Sequence, residues 1–188
     1  MFNSDYPKQG SLLISEPFML DPGFERSVVV ICEHNANGTV GVILNQRSEL
    51  LLSDVVDLKH YDTPIPLYIG GPVENDCVFF IHRAIEKLQD GALIYNDVYL
   101  GRDFDLAIDM INEGVLSMDE IKFFLGYSGW AEGQLLKEIQ QNSWAVHNKF
   151  STELTFITDG EELWKQTLIS LGPKYAHVAN FPKSPDLN

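Results

Sequence analysis

Cysteine is scarce in this chain. There are two, Cys32 and Cys77, and no Cys-x-x-Cys. Each lies in an apolar run, Val-Val-Val-Ile-Cys and Cys-Val-Phe-Phe-Ile. A free thiol in such a run packs as a small hydrophobe, so both are read as buried. A scaffold held by disulfides is excluded. Long hydrophobic stretches are also missing. No run approaches the ~20 apolar residues that cross a bilayer. The first ten residues include Asp5 and Lys8 and lack the basic and apolar regions of a signal peptide. A cytoplasmic protein with no membrane partner is expected.

Positive charge is the third shortage. The chain holds 13 basic and 27 acidic residues, a net charge of −14. No two basic residues are adjacent. Duplex binding needs clustered cations to release counterions from phosphate. The average field here repels nucleic acid. No short helix–turn–helix carries a basic second helix, since Lys137 stands between Glu132 and Glu138. Direct DNA binding is therefore not expected.

Several site motifs are absent too. Neither Gly-x-x-x-x-Gly-Lys-Ser/Thr nor Gly-x-Gly-x-x-Gly occurs. The five histidines (His34, His60, His82, His147 and His177) are widely spaced, with no His-x-x-x-His. No cofactor and no metal site is expected.

What is present is one domain's worth of chain. The 188 residues suit a single domain spanning 1–188, which buries roughly 70% of its unfolded surface. Strand-like segments come first: 11–15, 27–34 and 39–45, the last two flanking the turn Asn35-Ala36-Asn37-Gly38. Residues 53–58 suit one helical turn. Further strands are expected at 67–69 and 77–82, around Gly70-Gly71-Pro72, and at 92–95. Then the period changes. Phe104, Ala107, Ile108 and Ile111 share one helical face, ended by Gly114. A buried strand is expected over 121–127 and a helix over 131–141. Strands are expected at 144–147 and 154–157. A last helix starts at Asp159, with Glu162 completing a capping box and Gly172-Pro173 stopping it. The tail from Phe181 is expected to be irregular. This order suggests α+β or irregular α/β rather than a doubly wound sheet.

Two stretches attract attention as sites. The first is Gly126-Tyr127-Ser128-Gly129-Trp130-Ala131-Glu132-Gly133-Gln134. Read as a sharp strand-to-helix turn, it would offer free amides to an anion. The plainer reading makes Ser128 a helix cap and Trp130 core packing. A nucleophile elbow fails on sequence, because Trp130 stands where the second glycine belongs. The second is Asp21-Pro-Gly-Phe-Glu-Arg26. Arg26 could clamp a carboxylate or phosphate in two-pronged fashion, though an ion pair with Asp21 or a loop carbonyl is the commoner fate. If the hairpin forms as read, Arg26, Asn45 and Arg47 lie near its open end and His34 lies at its turn.

The residues also resemble a family. Gly10-Ser-Leu-Leu-Ile-Ser, Phe24-x-Arg26-Ser-Val-Val, His34, Gly41-x-x-Leu44-Asn45, Gly70-Gly-Pro-Val73 and Tyr127-Ser-Gly-Trp-Ala-x-Gly-Gln134 appear in order. Together with Leu163-Trp164 and Leu171-Gly172 they look like the AlgH/YqgE family over nearly the whole chain. That resemblance implies a bacterial cytosolic protein. It also implies a bifurcated β-sheet bent into a pseudo-barrel with helices packed on it. The family carries a transcriptional-regulator label and supplies no reaction. This chain departs from the usual pattern at Leu136, where an acid is common, and at Arg102, where glycine is common. Gln46 separates Leu44-Asn45 from the basic Arg47.

The reading that follows is a protein acting indirectly, by binding a protein partner or a small anionic ligand. The residues assigned to ligand binding are Arg26, Asn45, Tyr127, Ser128, Gly129, Trp130 and Gln134. The alternative is a small-molecule hydrolase or other enzyme, with a site near Ser128 or built on Arg26 and His34. It needs a base within hydrogen-bond reach of a nucleophile.

Overall fold

The computed structural model describes residues 5–58 and 63–182. His60 and the end of the chain, with Pro185, lie outside them. In chain order the elements are β1 (Leu12–Ser15), β2 (Val28–Asn35), β3 (Gly38–Ile43), β4 (Arg47–Leu51), β5 (Pro66–Ile69) and β6 (Val73–His82). There follow α1 (Ile85–Leu88), β7 (Ala92–Tyr95), β8 (Val98–Leu100), α2 (Phe104–Asn112), β9 (Ile121–Ala131) and α3 (Gln134–Gln140). The chain closes with β10 (Trp144–His147), α4 (Thr152–Ile157), α5 (Gly160–Ser170) and α6 (Pro173–Ala176).

The ten strands of the described residues form one sheet, in the order β10-β1-β2-β3-β9-β6-β8-β7, with β5 branching from β9 and carrying β4 on its other edge. The ladders are antiparallel except β5 on β9. The branch explains the bifurcated look of the fold. Phe124 of β9 pairs with Tyr68 of β5 and also with Phe79 of β6. Further along, Gly38–Gly41 of β3 pair with residues 128–131 of β9. β3 and β5 meet where the Ile43 N–H donates to the Gly70 carbonyl at 2.9 Å. β10 and β7 end the sheet, which is not closed into a barrel.

The apolar run Val28–Ile31 is continuous because both faces of the sheet are covered there. Val28 and Val30, with Leu12, Ile14, Val42 and Leu44, pack towards Leu163, Trp164 and Leu168 of α5. Val29 and Ile31, with Leu13 and Ile43, pack towards Trp130, Trp144 and Leu135 of α3. A third cluster gathers Ala107, Ile108 and Ile111 of α2 on Phe80 and Phe123. The Asp103 carboxylate caps α2 by accepting from the Leu106 N–H.

The hairpin forms as read, with Asn35 opposite Gly38. Its turn is set by the Asn35 side chain, which accepts from the Asn37 N–H at 2.8 Å. Other expectations fail. Residues 152–157 form α4, not a strand, because the Ser151 hydroxyl accepts from the Leu154 N–H. β9 continues to Ala131, so no sharp strand-to-helix turn exists at Ser128. Cys77 is exposed. The register of β6 on β9 shifts between Val73 and Val78, and the residues between them leave the ladder. Cys32 is half-buried, and burial pushes its thiol up to about 12.

Two buried histidines give the fold a pH dependence. In His82, Nε2 donates to the Asp90 carbonyl at 2.8 Å and Nδ1 accepts from the Ala84 N–H at 3.3 Å. A second ring proton would displace that acceptor. Nε2 of His147 bonds the Ser170 hydroxyl at 2.9 Å. Burial pushes both imidazoles below the ordinary histidine value, against weaker opposing pulls from Asp90 and Asp5. The unfolded chain therefore takes up protons first. This contribution is full above about pH 6.5 and is lost as pH falls below it. The melting temperature should drop from pH 7.5 to pH 5 (values of about the histidine range). The double variant His82→Gln/His147→Gln should show a flatter profile; an unchanged slope would assign the loss to other groups.

Candidate functional site

Arg26 and Asn45 meet, as the hairpin geometry expects, but their polar groups serve a helix. Asn45 is buried. Its amide oxygen accepts from the Val28 N–H, and its amide nitrogen donates to the carbonyls of Arg26 and Gly160. Arg26 is 5% exposed. Its guanidinium lies over Trp164, pairs with Glu161 rather than Asp21, and donates to the Phe181 carbonyl at 2.6 Å. Asp21 instead accepts from the Gly23 N–H. A cleft of about 180 Å³ lies here, lined by Glu25, Arg26, Asn45, Gln46, Gly160 and Glu161. Arg47 is exposed on β4 and lies outside it.

The same helix start gathers residues that local sequence patterns miss. Asp159 sits at the N-cap of α5 but makes no side-chain cap bond. Its carboxylate takes the Lys122 ammonium at 2.7 Å and the Tyr68 hydroxyl at 2.6 Å. Lys122 also reaches the carbonyls of Leu44 and Thr158 and lies over the Tyr68 ring. Burial pushes the Lys122 amine down, and Asp159 opposes it. Burial and then Asp159 push the Tyr68 phenol up. The expected capping box fails for this reason: Asp159 is spent on Lys122, and Glu162 accepts from Gln166. One sequence signal existed. Lys122 is a lone cation inside the apolar run Ile121–Leu125, and a buried cation needs a buried or half-buried partner.

The second stretch is strand through Ala131. Gly126 bends it with φ +69°, and a Cβ there would lie 2.6 Å from the Gly71 carbonyl oxygen. Ser128 is fully buried and donates its hydroxyl to the Gly70 carbonyl at 3.0 Å. It is no helix cap. Trp130 is buried as core packing requires, and its indole N–H donates to Glu138 at 2.8 Å. The Trp144 indole donates to the same carboxylate oxygen. Gln134 accepts from the Ala131 N–H and donates to the other Glu138 oxygen.

Strand alternation divides this segment between two faces. Ser128 and Trp130 are buried; Tyr127 is half-buried, and Gly129 and Ala131 are exposed. On the second face Glu33, Val40 and Gly129 form one row across β2, β3 and β9. Beside it runs an open cleft of about 440 Å³, bounded by Glu33, Asn35 and Asn37 on one side and Tyr127 and Val73 on the other. The Tyr127 ring rests edge-on against Phe79. A cleft of about 260 Å³ flanks the hairpin tip elsewhere, with His34, Glu132 and Gly133 in its lining. There His34 Nδ1 bonds the Thr39 hydroxyl at 2.7 Å. The site residues thus fall into two groups. Arg26 and Asn45 sit at one end of the hairpin, and Tyr127 to Gln134 run past the other. Among the described residues no cluster of His, Cys, Asp and Glu could hold a metal ion. No helix there is long and apolar enough to cross a membrane.

An open, branched sheet covered by helices, with a polar cleft beside its central strand, defines the class: a one-sheet α+β protein. The family follows from comparison. Residues 12–176 match the AlgH-like family, and the chain belongs to it. A UPF0301 protein of Cytophaga hutchinsonii is 40% identical over 96% of this chain and 98% of its own. One from Parabacteroides distasonis is 41% identical over 99% and 94%. The solution structure of AlgH from Pseudomonas aeruginosa superposes with a TM-score of 0.72 at 27% identity, covering 97% of this chain and 98% of that one. A crystal structure from Corynebacterium diphtheriae reaches 0.76 at 24% identity, with 95% of each chain covered, and so shares the fold.

Proposed function

We propose that this chain is a cytoplasmic binding protein without a reaction of its own, acting through a protein partner held in the cleft beside β9. One observation carries the reading. The stretch singled out for chemistry, Tyr127 to Gln134, spends its serine and tryptophan on the fold while its opposite face borders an open cleft. A nucleophile that is fully buried and bonded to a carbonyl is poorly placed for attack. A small anion at Arg26 has less support, since that guanidinium already carries Glu161. Duplex DNA has less still. Arg26 and Lys122 are buried in ion pairs, and Arg83, Lys87 and Lys165 each face a carboxylate. Any effect on transcription would then be indirect.

Two assays on the purified protein test this. Duplex DNA should show no salt-sensitive mobility shift at about micromolar protein. Hydrolysis of a nitrophenyl ester panel should be the same for the wild type and Ser128→Ala. A salt-sensitive shift, or hydrolysis lost with Ser128, overturns the reading.

A further inference from the structure

We infer that the cleft beside β9 receives a basic side chain, arginine or lysine, from an extended segment of the partner; this rests on the binding reading above. Most glycines of this chain have positive φ or stand against backbone. Gly129 does neither: a Cβ there would meet only the Tyr127 ring at 3.7 Å and Val73 at 3.8 Å, ordinary contacts. The fold tolerates a side chain at this position, but one would stand in the cleft between its walls. Glycine keeps that space open.

The walls give the chemistry. Among the described residues the one charged side chain in the lining is Glu33, which is exposed and accepts from the Asn35 amide at 2.5 Å. Among the described residues no lysine or arginine lines the cleft. Glu74, Asn75 and Asp76, which follow Val73 in the chain, are exposed and lie outside the lining itself. Tyr127 adds an aromatic ring, and a cation gains from an aromatic face as well as from a carboxylate. The Asn35 amide is engaged with the Asn37 N–H and Glu33, and Asn37 adds a polar side chain that can accept from a guanidinium. An anion would meet Glu33 with no compensating cation. The chain's net charge of −14 would draw a basic segment towards this surface. The cleft is open rather than enclosed, which suits a side chain carried by a docked segment more than a small molecule sealed from water.

The experiment uses the full-length protein labelled with nitrogen-15. Three peptides blocked at both ends are titrated: Gly-Arg-Gly-Arg-Gly, its citrulline analogue and its glutamate analogue. The arginine peptide should shift the amides of Gly38, Val40 and Gly129, and the other two should not. Glu33→Gln should weaken the response about threefold, within the range of one exposed ion pair. Gly129→Val should abolish it, while Gly129→Ala keeps the wild-type melting temperature and reports that the strand tolerates a Cβ. An equal response to citrulline, or one unmoved by Glu33→Gln and Gly129→Val, overturns the proposal. So does silence from all three peptides. The broader binding reading is judged separately, by the DNA and ester assays.

Discussion

Trp130→Ala should destabilise the protein by about 3–5 kcal/mol, the range for emptying a buried aromatic site. Trp130 is 5% exposed. Its ring meets Trp144 edge-on, with centroids 5.8 Å apart, and tilts against Phe24. These contacts lie under α3, in the cluster with Leu13, Val29 and Ile43. The loss has a polar part. Glu138 holds both indoles through one oxygen, so removing Trp130 takes away one of its three donors and leaves Trp144 and Gln134. Trp130→Phe should cost less, because it keeps most of the apolar area. Urea denaturation measures both. A near-neutral alanine variant would mean that the ring is not core and would return it to the list of ligand contacts.

Asp159→Ala should cost about 2–3 kcal/mol. Removing one partner of a buried pair costs about 3–5 kcal/mol. Here the figure is reduced because the Asp159 side chain is 38% exposed. What is left behind decides the size. The Lys122 side chain is 2% exposed and would keep only two carbonyls, at 3.3 and 3.4 Å. Tyr68 would also lose its acceptor. Adding Lys122→Met should recover much of the loss, since the stranded charge goes with it. A neutral Asp159→Ala would show that packing, not this clasp, holds the start of α5.

The sequence shows local order well. Asn35 and Gly38 mark the hairpin, and the apolar spacing from Phe104 to Ile111 marks α2. Asn45 can be placed near Arg26 because one hairpin contains both. Glu161 and Asp159 cannot, because they lie more than a hundred residues along the chain and reach the site only when α5 packs on the sheet. Gly-Tyr-Ser-Gly reads as a turn by local preference. It is strand because β3 and β6 pair with it, and because Gly126 gives β9 the positive φ it needs beside Gly71. Residues 154–157 fail in the opposite sense: their apolar run suits a strand, and the cap at Ser151 decides for helix. The cleft is the least legible feature. Its row of Glu33, Val40 and Gly129 exists only once three strands are in register.

A partner protein seated in that cleft can be trapped there. A photo-crosslinking amino acid at Asn37, on the cleft's wall, tests it in the living cell. The expected result is a discrete protein adduct that disappears when Gly129→Val fills the floor. No adduct, or adducts indifferent to Gly129→Val, would contradict it.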